Sequence, residues 1–134
     1  MLANKSEKKE DTRSKSILIV DDDKVILDVL ARGFKHYGFK VFKAENAVDG
    51  LNQFLKECPD IVITDIRMPG DFNGADLARR IREQSPETTI ALITGGDGEV
   101  GGLLLEKGIA DYFFTKPFSI NYICETLITD KPDP

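Results

Sequence analysis

A chain of 134 residues has room for one good hydrophobic core and not for two. Its net charge of −5 argues against a broad basic footprint for nucleic acid or an anionic membrane surface. No apolar run approaches a membrane span and the N-terminus lacks the apolar centre of a secretory signal, so direct nucleic-acid binding, membrane insertion and export are set aside and a cytoplasmic location is expected.

The charge is unevenly spread. Residues 1–16 carry Lys5, Lys8, Lys9, Arg13 and Lys15 against Glu7, Glu10 and Asp11, a net +2, which leaves −7 over the remainder. Residues 1–14 have no hydrophobic period and read as a flexible polar extension. Ser16 to Val20 is a buried strand that runs directly into Asp21, Asp22 and Asp23. A helix follows, with Ile26, Leu30, Phe34 and Tyr37 on its buried face, and Gly38 ends it. Phe39 to Ala44 is a second strand. Asn46 caps a helix through about Lys56, with Leu51, Phe54 and Leu55 turned inward, until Cys58-Pro59 stops it.

The stretch from Asp60 to Pro69 organises the rest. Ile61, Val62 and Ile63 form the short apolar run of a strand buried on both faces; it ends in Thr64 and Asp65, and Met68-Pro69-Gly70 forces a loop. Asn73-Gly74 then leads into a helix with Leu77, Ala78 and Ile81 inward and Arg79, Arg80 and Arg82 largely solvated, and Ser85-Pro86 breaks it. Thr89 to Thr94 is a fourth strand. A glycine-rich segment, Gly95 to Gly98, opens a weak helix through Lys107 that Gly101-Gly102 is expected to interrupt. Asp111 to Thr115 is a fifth strand, ending at Lys116-Pro117-Phe118. Ser119 caps a last helix, where Ile120, Ile123, Cys124, Leu127 and Ile128 share one face; residues 130–134 are a short tail.

Two cysteines, Cys58 and Cys124, could close one disulfide at most; without an export signal they read as reduced, small and mostly packed thiols. The single histidine, His36, leaves no Cys/His set for zinc and is expected solvated or half-buried.

Five strands alternating with five helices imply an α/β fold, a doubly wound parallel sheet covered on both faces. Right-handed crossovers leave a few strand orders open. Every strand's carboxyl end then faces one edge, where open α/β sheets place their chemistry. That edge receives Asp21 and Asp22, Asp65, Thr94 and Lys116. Crowded carboxylates repel and lose hydration, and a divalent cation relieves both costs; hard oxygen ligands suit Mg²⁺. With Lys116 as a point charge and Thr94 as a hydroxyl, the set suits phosphoryl transfer with Asp65 as nucleophile. Individually, each residue also has a plain structural use as turn former, cap, strand former or surface charge, and Asp23 reads as a cap. Gly96 to Gly101 fits G-x-G-x-x-G, but Asp97 and Glu99 stand where a pyrophosphate would lie.

On Ile17–Asp23, Asp60–Asp65 followed by Met68-Pro69-Gly70, Ile90–Thr94 and Thr115–Phe118, the chain resembles the receiver domain of two-component response regulators, the CheY-like family. The resemblance covers about residues 15–129. It implies a flavodoxin-like sheet in the order 2-1-3-4-5 with five helices on two faces. It implies phosphorylation of Asp65 by a sensor histidine kinase or a histidine phosphotransfer protein. Asp21, Asp22, Asp65 and the main-chain carbonyl of Arg67 would hold Mg²⁺, Asp21 chiefly through metal-bound water. Lys116 would take a phosphoryl oxygen, and Thr94 and Phe113 would form the switch. A downstream protein or output domain would read the face of helix 4, strand 5 and helix 5. Such a domain is a signalling phosphoacceptor that catalyses only its own phosphorylation and dephosphorylation, and no output domain is expected within this sequence.

Departures from the family pattern are a Phe for the commoner Tyr at 113, Gly95 for Ala, and Gly96 and Arg67 at positions that tune hydrolysis. There is also one residue more than usual between Pro69 and Gly74, and no arginine in the last helix. Two further readings are a haloacid-dehalogenase-like phosphatase built on Asp21 and Asp23, and a receiver-like interaction module that is not phosphorylated.

Overall fold

The computed structural model describes residues 15–96 and 98–129. The extension and tail expected over residues 1–14 and 130–134 lie outside the described residues. The strands are β1 (Ser16–Val20), β2 (Lys40–Ala44), β3 (Ile61–Asp65), β4 (Thr89–Thr94) and β5 (Tyr112–Thr115). The helices are α1 (Lys24–His36), α2 (Ala47–Glu57), α3 (Gly74–Gln84), α4 (Gly98–Glu106) and α5 (Ile120–Ile128). The second and fifth strands each begin one residue later than the hydrophobic pattern suggests. All pairings are parallel, in the order β2-β1-β3-β4-β5 implied by the resemblance. None of the described helices is long and apolar enough to cross a membrane.

Side chains alternate across the sheet and build two cores. Leu18, Val20, Val62, Ile90 and Leu92 face α2, α3 and α4, while Ile17, Ile19, Ile61, Ile63, Ala91 and Ile93 face α1 and α5. The register sets the strand ends level. Val20 pairs with Ala44 and Thr64, Asp65 with Ile93, and Thr94 with Thr115. Residues that close these strands therefore arrive at one edge, as inferred from the sequence.

Helix entries follow their caps. Asp23 accepts from the Val25 and Ile26 amides at 3.0 and 3.4 Å and starts α1, the capping role expected of it. Asn46 accepts from the Asp49 amide, Ser119 from the Tyr122 amide, and Asn73 and Asp76 form a reciprocal capping box.

Several packing expectations are corrected. In α1 the fully buried residues are Leu27, Leu30, Ala31 and Phe34, with Ile26 and Tyr37 only half-buried, because the contact stripe spans both α5 and the sheet. Leu55 is half exposed: α2 meets the sheet through Ala47, Gly50 and Phe54, and the next residue is rotated away. Cys58 is exposed, in a left-handed conformation (φ 50°) at the end of α2, whereas Cys124 is buried and its thiol is pushed up to about 11 by that burial; neither forms a disulfide. His36, by contrast, is exposed as expected, its ring edge-on to Tyr37.

Helix α4 runs unbroken through Gly101 and Gly102. Gly101 is where the Phe113 ring lies against the helix: a Cβ there would stand 2.5–2.7 Å from three ring atoms. The propensity penalty of that glycine is offset by a close helix–strand contact that a side chain would forbid.

The largest correction concerns Arg82, which is mostly buried rather than solvated. Its guanidinium donates to the carbonyls of Ile109 (3.1 Å), Pro86 (2.7 Å) and Thr88 (2.8 Å) and pairs with Asp111 at 2.7 Å. Asp111 in turn accepts the Ile90 amide at 2.9 Å. One planar cation thus ties the end of α3, the start of β4 and the turn into β5 together at the edge opposite the acids. Arg82→Ala should lower stability by about 3 kcal/mol, and Arg82→Lys should recover little because a point charge cannot serve four acceptors. Urea unfolding curves of the two variants check this.

Candidate functional site

Each strand end delivers one part of the site. The Asp21 amide donates to the Ala44 carbonyl at 3.1 Å, which fixes the backbone just past β1. Its carboxylate Oδ1 accepts the Asp23 amide at 2.8 Å. Its Oδ2 is buried with no hydrogen-bond partner, and the Lys116 Nζ stands 3.9 Å away. Asp65 closes β3 with its side chain 8% exposed, and its Oδ2 accepts from Lys116 Nζ at 3.3 Å. Asp22 is exposed beside them. Asp21, Asp22 and Asp65 each offer a carboxylate oxygen, and the three oxygens lie within 4.8 Å of one another.

Burial dominates the electrostatics. It pushes the Asp21 carboxyl up to about 6, against the lowering effect of the Asp23 amide; the neighbouring Asp65 charge adds to the rise and Lys116 opposes it. Asp65 is raised as well, because desolvation outweighs the Lys116 charge, its hydrogen bond and the donated Arg67 amide. An orphaned buried oxygen among three hard donors is the environment a divalent cation completes, and this donor set fits Mg²⁺.

Thr94 ends β4 with its residue 2% exposed. Its hydroxyl accepts the Gly96 amide at 3.3 Å, and its carbonyl accepts the Lys116 amide at 2.8 Å, so the lysine backbone is tied to the hydroxyl-bearing strand end. The Lys116-Pro117 peptide is cis. Gly95 faces the lysine stem loosely: a Cβ there would sit 3.8 Å from Lys116 Cδ, an ordinary contact that an alanine would satisfy.

The structure thus gathers Asp21, Asp22, Asp65 and Lys116, with Thr94 joined through backbone bonds. Arg67 is exposed, and its amide reaches the Asp65 carboxylate. Phe113 stands apart: it pairs with Leu92, two residues before the strand end, and packs half-buried on the α4 side. Asp23 is occupied as a cap, which takes away the second acid of the phosphatase reading. The G-x-G-x-x-G match dissolves too, since Gly101 is covered by the Phe113 ring.

Gly74 is the residue that motif reasoning missed. The first residue of α3 presses on the β3 end so closely that a Cβ would collide with the Asp65 carbonyl oxygen and lie 2.8 Å from its carbon. The available signal was the Asn73-Gly74 pair, which reads only as a helix start.

Residues 17–128 match the family model of the response regulator receiver domain. Among solved structures, the chain is similar to a receiver domain protein from Clostridium thermocellum, with 29% identity, a TM-score of 0.79, and coverage of 84% of this chain and 90% of that one. A CheY-like receiver domain protein from Methanospirillum hungatei JF-1 gives 29% identity and a TM-score of 0.79 over 85% of this chain and 90% of that one. The BeF3-activated receiver domain of DrrB, a Thermotoga maritima protein, gives 31% identity and a TM-score of 0.75 over 85% of this chain and 94% of that one. With strand order, acid cluster and lysine all in place, the chain belongs to the response regulator receiver domains of two-component systems.

Proposed function

We propose that this domain accepts a phosphoryl group on Asp65 from the phosphohistidine of a sensor histidine kinase or a histidine phosphotransfer protein. One observation carries the reading: the Asp65 carboxylate, nearly buried at the end of β3, lies 3.3 Å from Lys116 Nζ and within a 4.8 Å cluster of Asp21 and Asp22. A carboxylate oxygen of Asp65 attacks phosphorus as the P–N bond breaks; the imidazole leaves with the electron pair and takes up a proton from solvent. The product is an acyl phosphate, reactive enough to reverse.

Lys116, whose Nζ lies 3.3 Å from the Asp65 carboxylate, would hold a phosphoryl oxygen. Asp21, Asp22, Asp65 and the Arg67 main-chain carbonyl would hold Mg²⁺, which supplies positive charge against the carboxylates and the phosphoryl oxygens. The DrrB neighbour described as BeF3-activated supports the assignment, since BeF3 resembles a phosphoryl group in shape and charge. Thr94 would turn its hydroxyl to the phosphoryl group. Phe113 has no hydroxyl, so its part in the switch is ring packing against Gly101 of α4. Exposed Leu103 and Leu105 on α4 and Tyr122 on α5 give a downstream protein or output domain apolar contacts on the α4–β5–α5 face. The domain acts as a cytoplasmic phosphoacceptor that catalyses its own phosphorylation and dephosphorylation and turns over no separate substrate.

Incubation with Mg²⁺ and a small acyl-phosphate donor should add the mass of one phosphoryl group to the wild type and none to Asp65→Asn. Undiminished labelling of the variant would sink the assignment, and no labelling of either would favour an interaction module.

The acid cluster also sets a pH dependence. Asp21 keeps its proton in the metal-free fold up to about pH 6, whereas the unfolded chain releases it near the ordinary 3.8. The fold binds more protons over that window, so this group's contribution to stability falls as pH rises through it and is fully lost above. Metal-free Asp21→Asn should therefore be more stable than wild type at neutral pH by about 3 kcal/mol, with the gap closing towards pH 4. Paired denaturation curves with a chelator present decide it; a gap that does not narrow on acidification would refute the assignment of the penalty to Asp21.

A further inference from the structure

Asp65 is the last residue of β3, and the peptide that follows it sets where its carboxylate points. Two neighbours act on the carbonyl oxygen of that peptide. The fully buried Thr64 donates its hydroxyl to this oxygen at 3.0 Å. Gly74 closes over the same oxygen from α3, with no room for a side chain between them. The next peptide is held as well: the Ile66 amide donates to the Ile93 carbonyl and the Ile66 carbonyl accepts the Gly74 amide, both at 3.0 Å. The turn then delivers the Arg67 amide to the Asp65 carboxylate.

A threonine in a strand is ordinarily a β-branched packing residue. Here its predecessors Ile61, Val62 and Ile63 do that work without a hydroxyl, and a fully buried hydroxyl is costly unless it is bonded. Thr64 spends its hydroxyl on the one carbonyl from which the phosphoacceptor turn begins. We propose that Thr64 is a positioning residue for the reaction at Asp65: its hydroxyl, acting with Gly74 on a single carbonyl oxygen, fixes the peptide plane that aims both the Asp65 carboxylate and the Arg67 backbone. The inference rests on Asp65 being the phosphoacceptor. It adds a residue that touches neither phosphoryl group nor metal, and acts through its neighbour.

Thr64→Val exchanges the hydroxyl for a methyl at nearly constant volume, and Thr64→Ser keeps the hydroxyl. With Mg²⁺ and a saturating small acyl-phosphate donor, Thr64→Val should label Asp65 about tenfold more slowly, since small misplacements at a reacting centre cost rate steeply. The donor concentration giving half-maximal rate should stay unchanged, and Thr64→Ser should restore most of the rate. In the metal-free protein the Arg67 amide resonance in ¹H–¹⁵N spectra should move in Thr64→Val and return in Thr64→Ser. Should Thr64→Val melt below the assay temperature, Thr64→Ala makes the same comparison. A folded, hydroxyl-free variant that labels at the wild-type rate, or whose Arg67 resonance is unmoved, overturns the proposal. If wild type itself fails to label on Asp65, the functional reading falls, and the Arg67 resonance still decides whether Thr64 sets the turn.

Discussion

Two nearly buried carboxylates, Asp21 and Asp65, share one lysine at the carboxyl edge of the sheet, and the surrounding structure is arranged around that imbalance. Lys116 Nζ stands 3.9 Å from the Asp21 carboxylate and 3.3 Å from that of Asp65, so one positive charge faces two negative ones, with the Asp22 carboxylate beside them. At Asp21 the Asp65 charge outweighs the pull of Lys116 and Asp22 adds to it, whereas at Asp65 the pull of the lysine is the larger. The largest cause of the rise at both is lost hydration, and at Asp21 the Oδ2 has no hydrogen bond to replace the water it gave up. A site with its negative charge underpaired in this way fits an added cation, and the proposed phosphoryl group would be drawn to that cation and to the lysine.

The fold keeps these groups in place by levelling its strand ends. Parallel pairing brings Val20, Thr64 and Ala44 into one row and Thr94 beside Thr115, so the acids, hydroxyl and lysine just beyond them converge without any long loop. Gly74 locks α3 against the Asp65 backbone, and Arg82 secures the far end of the same helix to β4 and the turn into β5. Both ends of α3 are thus tied to the sheet, one beside the chemistry and one at the opposite edge. Helix α4 is held differently, by ring-on-backbone packing between Phe113 and Gly101. That contact is apolar packing, which suits the switch role proposed for Phe113.

Much of this was legible in the sequence because it rests on local signals. Apolar runs marked the strands, Asp23, Asn46 and Ser119 marked helix starts, and the chemistry-bearing residues followed the runs directly. What escaped depended on distant neighbours. Arg82 looked like its solvated companions Arg79 and Arg80, since nothing local says that Ile109 and Asp111 will fold up against it. Gly101 and Gly102 read as helix breakers, because propensity cannot anticipate a ring seated on one of them. Leu55 was assigned inward by its apolar side chain and Cys58 as a mostly packed thiol, although α2 turns Leu55 outward and leaves Cys58 exposed just past its end. Thr64 had no assigned role beyond closing the third strand, because the partner of its hydroxyl is a main-chain carbonyl that no side-chain motif marks.

The central claim is that Asp65, among three clustered acids, carries the phosphoryl group. Hydride reduction of the phosphorylated protein converts an aspartyl phosphate into homoserine, which peptide mass spectrometry then locates in the chain. The account predicts homoserine at position 65 alone. Conversion at Asp21 or Asp22 instead, or a stable phosphate on His36 with no homoserine anywhere, would contradict it.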